Sequence, residues 1–282
     1  MPDLDPRLTP ARPDLAAAHL KGQVEAERFV EPVDHQCRIP AAPIRKQPRP
    51  DAPMDDQVLC GEVFAVLEET DGWGWGYSRA GGYVGWVDLG GFTHAILTPS
   101  LHITALRTYA FSEPDIKSEP DCLLSLNALI SAGQRRGRFV EARGIGWVIE
   151  AHTGALDDAA GDFVAVAEAF LGTPYLWGGK ESVGLDCSGL TQMALRAAGI
   201  EVPRDTDQQE RALKAMWRDV TGNPERERGD IVFWPGHVGI MTDSEHLLHA
   251  NASSMDTTLE PFADAEARIR EAENPVRTIV RA

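Results

Sequence analysis

The chain has 282 residues, enough for two or three domains, and its 43% hydrophobic and 25% charged residues are typical of a globular protein. Its formal net charge of −16, from 27 basic and 43 acidic residues, argues against nucleic acid, anionic lipid and anionic wall polymers as partners. The same charge suits a substrate that carries an amine.

The N-terminus lacks the charged start and apolar core of a signal peptide, and no run is as long as a membrane-spanning helix. The cysteines are widely scattered without a CxxC pair, at Cys37, Cys60, Cys122 and Cys187. This pattern indicates free thiols instead of a disulfide framework. We therefore expect a cytoplasmic protein.

The first half of the chain divides by composition. Residues 1–53 predict an N-terminal extension, with one helix around Pro13–Arg28 and an extended connector over 40–53, where five prolines lie. Residues 54–98 hold short β-type runs broken by glycine pairs and Asp-Gly, which predicts a small barrel. A glycine followed by an aromatic-Val pair recurs over 99–155 and predicts a second barrel.

From about residue 156 to 282 the pattern becomes mixed. Helical periods come first and short strand-like runs follow, which is the order of an α+β domain. Within it, Cys187 lies where the Gly-rich stretch GTPYLWGGKESVGL gives way to a helix that Gly199 ends. The positive end of the helix dipole is expected to lower the pKa of this thiol. A small buried core residue is the alternative, but Asp-Cys-Ser-Gly at a helix start favours a nucleophile.

Two later strand-like runs, HVGIM and HLLHA, each carry a histidine that could serve this thiol. If 242–244 forms an odd-length hairpin turn, His237 lies opposite His249, with Cβ atoms about 5 Å apart. The two imidazoles could then act in line, one as base and one holding its tautomer. His246 points to the other face of the strand and is interpreted as structural.

Residues around the thiol have both ordinary and functional interpretations. Tyr175 is a packed aromatic or a phenol that helps stabilise an oxyanion. Asp186 is a favoured helix N-cap, and since a carboxylate would raise the pKa of a neighbouring thiol, a second task is expected. That task is to bind a substrate ammonium together with Ser188.

A zinc site is conceivable from Cys187, His237 and His249. Structural zinc sites usually show a paired-ligand knuckle, which the sequence lacks. We therefore predict no metal and no cofactor.

Over residues 160–255 the chain resembles the NlpC-type cysteine peptidases, a papain-like family that acts on cell-wall peptides. The resemblance lies in GTPYLWGG, LDCSGL, a Pro-Arg-Asp segment, RGDIVFW, HVGIM and HLLHANA in the family's order. It implies Cys187 as nucleophile, His237 as base, His249 as third catalytic member and Tyr175 as oxyanion helper. The implied fold is multidomain, with two small SH3-like β-barrels followed by a papain-like α+β catalytic domain.

The front half resembles the bacterial SH3-type barrels of γ-D-glutamyl-L-diamino acid endopeptidases, the dipeptidyl-peptidase VI-like enzymes of murein recycling. In that subgroup the first barrel narrows the active-site cleft, and substrates need a free N-terminal L-alanine. The resemblance implies that Asp186 and Ser188 hold this amine, with Glu62 and Tyr83 as the barrel's contribution. The expected substrate is a murein-derived peptide, with no nucleic acid or membrane partner; the oligomeric state stays open.

Three other functions remain open from the sequence. A papain-like acyltransferase or amidase would share the Cys-His geometry. A non-catalytic SH3-type protein would bind murein without turnover. An endopeptidase on intact wall would require an exported form.

Overall fold

The computed structural model describes residues 4–272 and 274–282, and it divides into a unit that ends at Leu156 and a second unit, Asp157–Ala282. The predicted α+β domain, 156–282, begins beside this division. All four cysteines are free thiols, as predicted. Within the described residues, no helix is both long enough and apolar enough to span a bilayer.

The start of the chain forms a short parallel strand pair, β1 (Leu15–Ala17) and β2 (Arg28–Val30), with a 3-10 turn at Ala18–Leu20 between them. The predicted helix around Pro13–Arg28 is therefore wrong. Its apolar side chains form no helical stripe, because they pack in a cluster with Trp75 of the first barrel instead.

A seven-stranded sheet forms the first barrel, in the order β5-β4-β8-β7-β6-β3-β9. Its strands are β3 (Val33–Cys37), β4 (Ala41–Arg45), β5 (Met54–Leu59), β6 (Val63–Thr70), β7 (Trp73–Ser78), β8 (Val84–Asp88) and β9 (Phe92–Thr93). Along β6, Phe64 and Val66 face the barrel core, while Ala65 and Leu67 face the N-terminal segment. The alternation explains how one strand is buried on both faces.

The predicted connector over 40–53 is wrong where Ala41–Arg45 lies, because this segment is strand β4 and pairs along its length with β5. Its pairing with β8 is confined to Arg45. A proline such as Pro43 is tolerated in a strand that is little bonded on one side. The barrel therefore begins well before residue 54.

The second barrel combines a five-stranded sheet, β12-β11-β16-β15-β14, with a three-stranded sheet, β13-β10-β17. Its strands are β10 (Leu101–Ile103), β11 (Arg107–Phe111), β12 (Pro120–Ser125), β13 (Leu129–Ile130), β14 (Ala132–Arg136), β15 (Phe139–Ala142), β16 (Gly146–Ile149) and β17 (Thr153–Ala155). Both sheets contribute to one apolar core, which includes Ile103, Leu124 and Val148.

The C-terminal unit has helices around a six-stranded sheet of order β20-β25-β21-β22-β23-β24 and a separate strand pair, β18-β19. Its helices are α1 (Phe163–Glu168), α2 (Cys187–Ala197), α3 (Thr206–Met216) and α4 (Phe262–Glu271). Its strands are β18 (Lys180–Glu181), β19 (Gly184–Leu185), β20 (Arg218–Asp219), β21 (Ile231–Trp234), β22 (His237–Met241), β23 (His246–Asn251), β24 (Asp256–Pro261) and β25 (Thr278–Arg281). Helix α2 is buried on all sides and packs against β22 and β23. Because it is a core helix, its first turn is held rigidly against the sheet.

The register of the β22–β23 hairpin differs from the predicted one. Met241 lies opposite Leu247, and the next pair follows the same register. Continuing it places His249 opposite Gly239, two residues from His237. The prediction that the two histidines are directly opposed is therefore wrong.

The reason lies in the turn. The Asp243 carboxylate accepts hydrogen bonds from the backbone N–H groups of Glu245 and His246, at 2.7 and 2.8 Å. Side-chain capping of this kind holds a wider loop than the tripeptide turn that was assumed. His237 and His249 remain on one face of the sheet as diagonal neighbours, within reach of each other's long side chains.

Candidate active site

The loop before α2 positions the thiol. Asp186 is the N-cap residue, and its carboxylate accepts a 2.8 Å hydrogen bond from the Gly189 N–H. A Cβ at Gly189 would lie 2.2 Å from the carbonyl oxygen of Gly179, so no larger residue fits there without a backbone shift. The glycine of the Asp-Cys-Ser-Gly motif thus allows the loop to cross close over the first turn of the helix.

The Cys187 side chain lies at this helix start and is 6% exposed. The backbone N–H of Val238, in β22, hydrogen-bonds the sulfur, and the Thr206 hydroxyl lies 4.0 Å from it. The sulfur is therefore beside the strand that begins at His237. The roles predicted for Cys187 and His237 stay predictions.

Burial, together with the negative charge of Asp186, raises the pKa of the Cys187 thiol to about 11. The expectation that the helix dipole lowers this pKa is wrong. Desolvation of the thiolate and a neighbouring carboxylate outweigh the partial charge of the helix end. The structure therefore contains a neutral thiol at neutral pH.

The two histidines and a glutamate form one hydrogen-bonded chain. His237 Nε2 lies 2.7 Å from His249 Nδ1, and His249 Nε2 lies 2.7 Å from Glu260 Oε1. Because a carboxylate only accepts, His249 Nε2–H donates to Glu260, and His249 Nδ1 must accept from His237 Nε2–H. This order leaves His237 Nδ1 with a free lone pair, which is what a base requires.

Burial, together with the charge of a protonated His249, lowers the pKa of His237 to about 3. Burial also lowers the pKa of His249, while Glu260 opposes that effect. The two rings are therefore neutral near pH 7. The facing nitrogens of the two rings are hydrogen-bonded to each other.

Glu260 is a member of this hydrogen-bonded chain that the sequence did not reveal. It lies on β24, two residues beyond Thr258, which pairs with His249. Arg268 of α4 donates to Glu260 at 2.8 Å and is the main cause of its lowered pKa. An acidic residue on the strand after HLLHA could have been noticed, but its partner follows only from the β23–β24 register.

A second missed residue is Arg204, which is 2% exposed. Its guanidinium donates to both carboxylate oxygens of Asp186, at 2.9 and 2.7 Å, and to Ser188 Oγ at 2.7 Å. The Gly178 N–H also donates to Asp186, at 2.8 Å. The charge of Asp186 is thus already balanced within the protein, and the predicted ammonium-binding role stays a prediction.

Tyr175 is half-buried in the loop before α2, and its backbone N–H donates to the Met255 carbonyl at 2.9 Å. Burial raises the pKa of its phenol, and the negative charges of Cys187 and Asp186 raise it further. The electrostatic effect of Cys187 on Tyr175 places the phenol near the thiol. Because its pKa is raised, the phenol stays protonated and can donate a hydrogen bond.

Glu62 and Tyr83 lie in the N-terminal unit. Glu62 is 2% exposed, and its carboxylate accepts a 2.8 Å hydrogen bond from the Leu59 N–H. Tyr83 packs in the core cluster of the first barrel. Their assignment to a substrate site stays a prediction.

A thiol at a helix start, next to a chain of two imidazoles and a carboxylate, defines the cysteine-nucleophile class of site on an α+β fold. Residues 172–266 match the NlpC/P60 family, and residues 44–91 match the bacterial dipeptidyl-peptidase SH3 domain. The chain therefore combines an NlpC/P60 domain with a bacterial dipeptidyl-peptidase SH3 domain. The predicted fold class and family resemblance are confirmed.

Characterised relatives match only part of the chain. Dipeptidyl-peptidase 6 of Lysinibacillus sphaericus is 30% identical over 115 residues, which cover 38% of this chain and 38% of that protein. A γ-D-glutamyl-L-lysine dipeptidyl-peptidase of Bacillus subtilis is 33% identical over 99 residues, 32% of each chain. The matching segment thus spans about a third of the length of these relatives.

A solved structure shares the fold of this chain. The crystal structure of an NlpC/P60 family protein from Bacillus cereus superposes with a TM-score of 0.73 at 18% sequence identity. The alignment covers 88% of this chain and 99% of that one. The fold is therefore shared over nearly the full length.

Proposed function

We propose that this protein is a cysteine peptidase that hydrolyses the γ-D-glutamyl-L-diamino acid bond of murein peptides with a free N-terminal L-alanine. The observation that carries the proposal is the position of the Cys187 sulfur, which accepts a hydrogen bond from the Val238 N–H. It lies beside the hydrogen-bonded chain of His237, His249 and Glu260. The names of the two relatives, dipeptidyl-peptidase 6 and γ-D-glutamyl-L-lysine dipeptidyl-peptidase, support this choice of the bond that is cleaved.

The reaction begins from a neutral pair, because burial disfavours both the thiolate and the imidazolium. His237 Nδ1 takes the thiol proton as the sulfur attacks the γ-glutamyl carbonyl carbon. The imidazolium that forms donates from Nε2 to His249, which donates in turn to Glu260. The negative charge of Glu260 therefore stabilises the cation at the moment it appears.

The oxyanion of the tetrahedral intermediate needs donors. The first N–H groups of a helix have no intrahelical partner, so the Cys187 N–H is available, and the Tyr175 phenol is the second donor. Collapse of the intermediate transfers the proton from His237 to the leaving amine and leaves a thioester on Cys187. Water, activated by the same His237 nitrogen, then releases the L-alanyl-γ-D-glutamyl product.

Selection for a free amine is the more specific part of the proposal. Asp186 and Ser188 flank the nucleophile, and Arg204 holds both in place. An incoming ammonium would share the Asp186 carboxylate with Arg204. A requirement for a free amine would direct the enzyme to released peptides inside the cell.

Mass spectrometry of L-Ala-γ-D-Glu-diaminopimelate incubated with the full chain tests the proposal. We expect two products, L-Ala-γ-D-Glu and diaminopimelate, and no cleavage of the N-acetylated peptide. Cys187→Ala should abolish cleavage, whereas Cys122→Ala, which removes a half-buried thiol of the second barrel, should not. Cleavage of the N-acetylated peptide would remove the amine requirement, and equal cleavage by Cys187→Ala would remove the nucleophile.

A further inference from the structure

Two histidines and a glutamate gather on the first barrel, in the unit that does not hold the nucleophile. His35 lies on β3, Glu69 on β6 and His94 directly after β9, and β3 lies between the other two strands. The β3–β9 register pairs Gln36 with Thr93, so its continuation places His35 opposite His94. Their ring centroids are 4.1 Å apart.

The hydrogen bonding of His35 determines which of its nitrogens is free. The ring is 3% exposed, and Nδ1 lies 3.0 Å from the Val33 carbonyl oxygen. A carbonyl only accepts, so Nδ1 carries the hydrogen and, in the neutral ring, Nε2 carries a lone pair. Nε2 is buried without a hydrogen-bond partner.

A carboxylate faces that lone pair. Glu69 Oε1 lies 3.3 Å from His35 Nε2. Two acceptors at this separation repel each other unless a proton or a metal ion lies between them, and a buried polar atom without a partner is costly. The arrangement therefore calls for a positive charge at this position.

We infer that His35, Glu69 and His94 form a binding site for a divalent transition metal of the Zn²⁺ type. One donor atom from each residue lies within 4.8 Å of the other two. Tetrahedral zinc, with bonds of about 2.0–2.2 Å, separates its ligands by roughly 3.4 Å. The separation of 3.3 Å between His35 Nε2 and Glu69 Oε1 is that of two ligands on one ion.

The surroundings of the cluster suit metal binding in two respects. A ligating histidine usually donates its other ring nitrogen to a carbonyl or carboxylate, as His35 does to Val33. Glu69 and His94 are exposed, so their side chains can close on an ion that enters from solvent. Two imidazoles and one carboxylate leave a fourth position for water.

Metal binding would connect the chain after β9 to two neighbouring strands. β9 has only two residues, Phe92–Thr93, and lies at the edge of the seven-stranded sheet. An ion bound to His94 would hold this short edge strand against β3 and β6. An ion bound there would therefore stabilise the barrel.

Binding of Co²⁺, a spectroscopic substitute for Zn²⁺, tests the inference on the full-length chain. The Cys187→Ala variant is used as parent, so that the active-site thiol does not compete for the ion. We expect one equivalent of Co²⁺ to bind with visible absorption, to be displaced by Zn²⁺, and to raise the unfolding temperature.

Exposed substitutions in the parent locate the ion. His94→Ala should weaken binding by about 100-fold or more, and Glu69→Gln should weaken it as well, because each removes a ligand. His246→Ala is the matched control, since His246 is an exposed histidine that lies 3.0 Å from Asp243 in the other unit. It should leave binding unchanged.

The inference is overturned by three results. One is the lack of stoichiometric binding to the parent, which would mean that His35 is protonated and simply paired with Glu69. Another is binding that survives both His94→Ala and Glu69→Gln. The third is binding that His246→Ala abolishes. None of these results bears on the peptidase activity, which the cleavage assay measures separately.

Discussion

In the C-terminal unit, His237 and His249 direct their facing nitrogens at each other, and Glu260 accepts from the outer one. In the N-terminal unit, the rings of His35 and His94 also lie together, but Nε2 of His35 has no hydrogen-bond partner and faces the carboxylate of Glu69. Both clusters consist of two histidines and a glutamate. Their difference is the order of donors and acceptors.

That order determines the chemistry. In the C-terminal cluster each donor faces an acceptor, so a single ring-nitrogen lone pair is left without a partner. That nitrogen can take a proton and act as a base. Two acceptors that face each other attract a cation instead. The comparison therefore predicts that the same substitution lowers turnover in one cluster and leaves it unchanged in the other.

Removing one imidazole from each cluster should give the largest contrast. His237→Ala should lower kcat/KM by about 10⁴-fold or more, because the base and the proton donor to the leaving group are one residue. His94→Ala should leave kcat/KM unchanged. Steady-state kinetics on the alanyl-γ-glutamyl-diaminopimelate peptide measure both, and a comparable loss in His94→Ala would break the comparison.

A buried ion pair of one unit and an exposed ion pair of the other should contribute differently to the free energy of unfolding. Arg204→Ala leaves Asp186 charged and buried, and should lower the free energy of unfolding by about 3–5 kcal/mol. Arg28, 2.9 Å from Glu68 and 55% exposed, is the matched control, and Arg28→Ala should cost less than about 1 kcal/mol. Urea unfolding curves test this. Equal costs would mean that water reaches Asp186.

The two glutamates should differ in their effect on turnover. Glu260→Gln should lower kcat by about 100-fold, because an amide no longer stabilises the imidazolium through His249. Glu69→Gln should leave kcat unchanged. Glu266→Gln is the control for an acidic residue that pairs with an arginine on α4. If Glu260→Gln retained full activity, the part of the hydrogen-bonded chain that contributes to turnover would end at His249.

Among these predictions, the change of kcat/KM with pH should be the smallest. Protonated His237 cannot act as a base, and since burial lowers its pKa to about 3, the base form persists well below the ordinary pKa of 6.5. An unshifted base would lose about tenfold in rate at pH 5.5. We expect kcat/KM to show no such loss from this group. An acidic limb near pH 6.5 would contradict the neutral, buried ring.

The sequence predicted those parts of the site that depend on local pattern. The start of α2 follows from an Asp N-cap, a helical period and a terminating glycine. The pairing of His237 with His249 was expected from alternation in two short strands, and the imidazoles do bond to each other. Their exact register was missed, because it depends on how the Asp243 carboxylate caps the turn.

Features that depend on distant neighbours were not predictable in this way. Glu260 joins the site through strand register, and Arg204 joins it because the segment before α3 packs against the loop that holds Asp186. The thiol pKa was predicted in the wrong direction, because burial outweighs the helix dipole. The sequence did not predict strand β4 because of Pro43, yet the hydrogen bond that a proline cannot donate matters little where one side of the strand is sparsely paired.

Trapping the acyl-enzyme tests the central claim most directly. The full chain is mixed with the alanyl-γ-glutamyl-diaminopimelate peptide, quenched in acid within the first turnover and digested for mass spectrometry. We expect an L-Ala-γ-D-Glu thioester on the peptide that contains Cys187. Turnover without such an adduct, or with the adduct on another residue, would contradict the account.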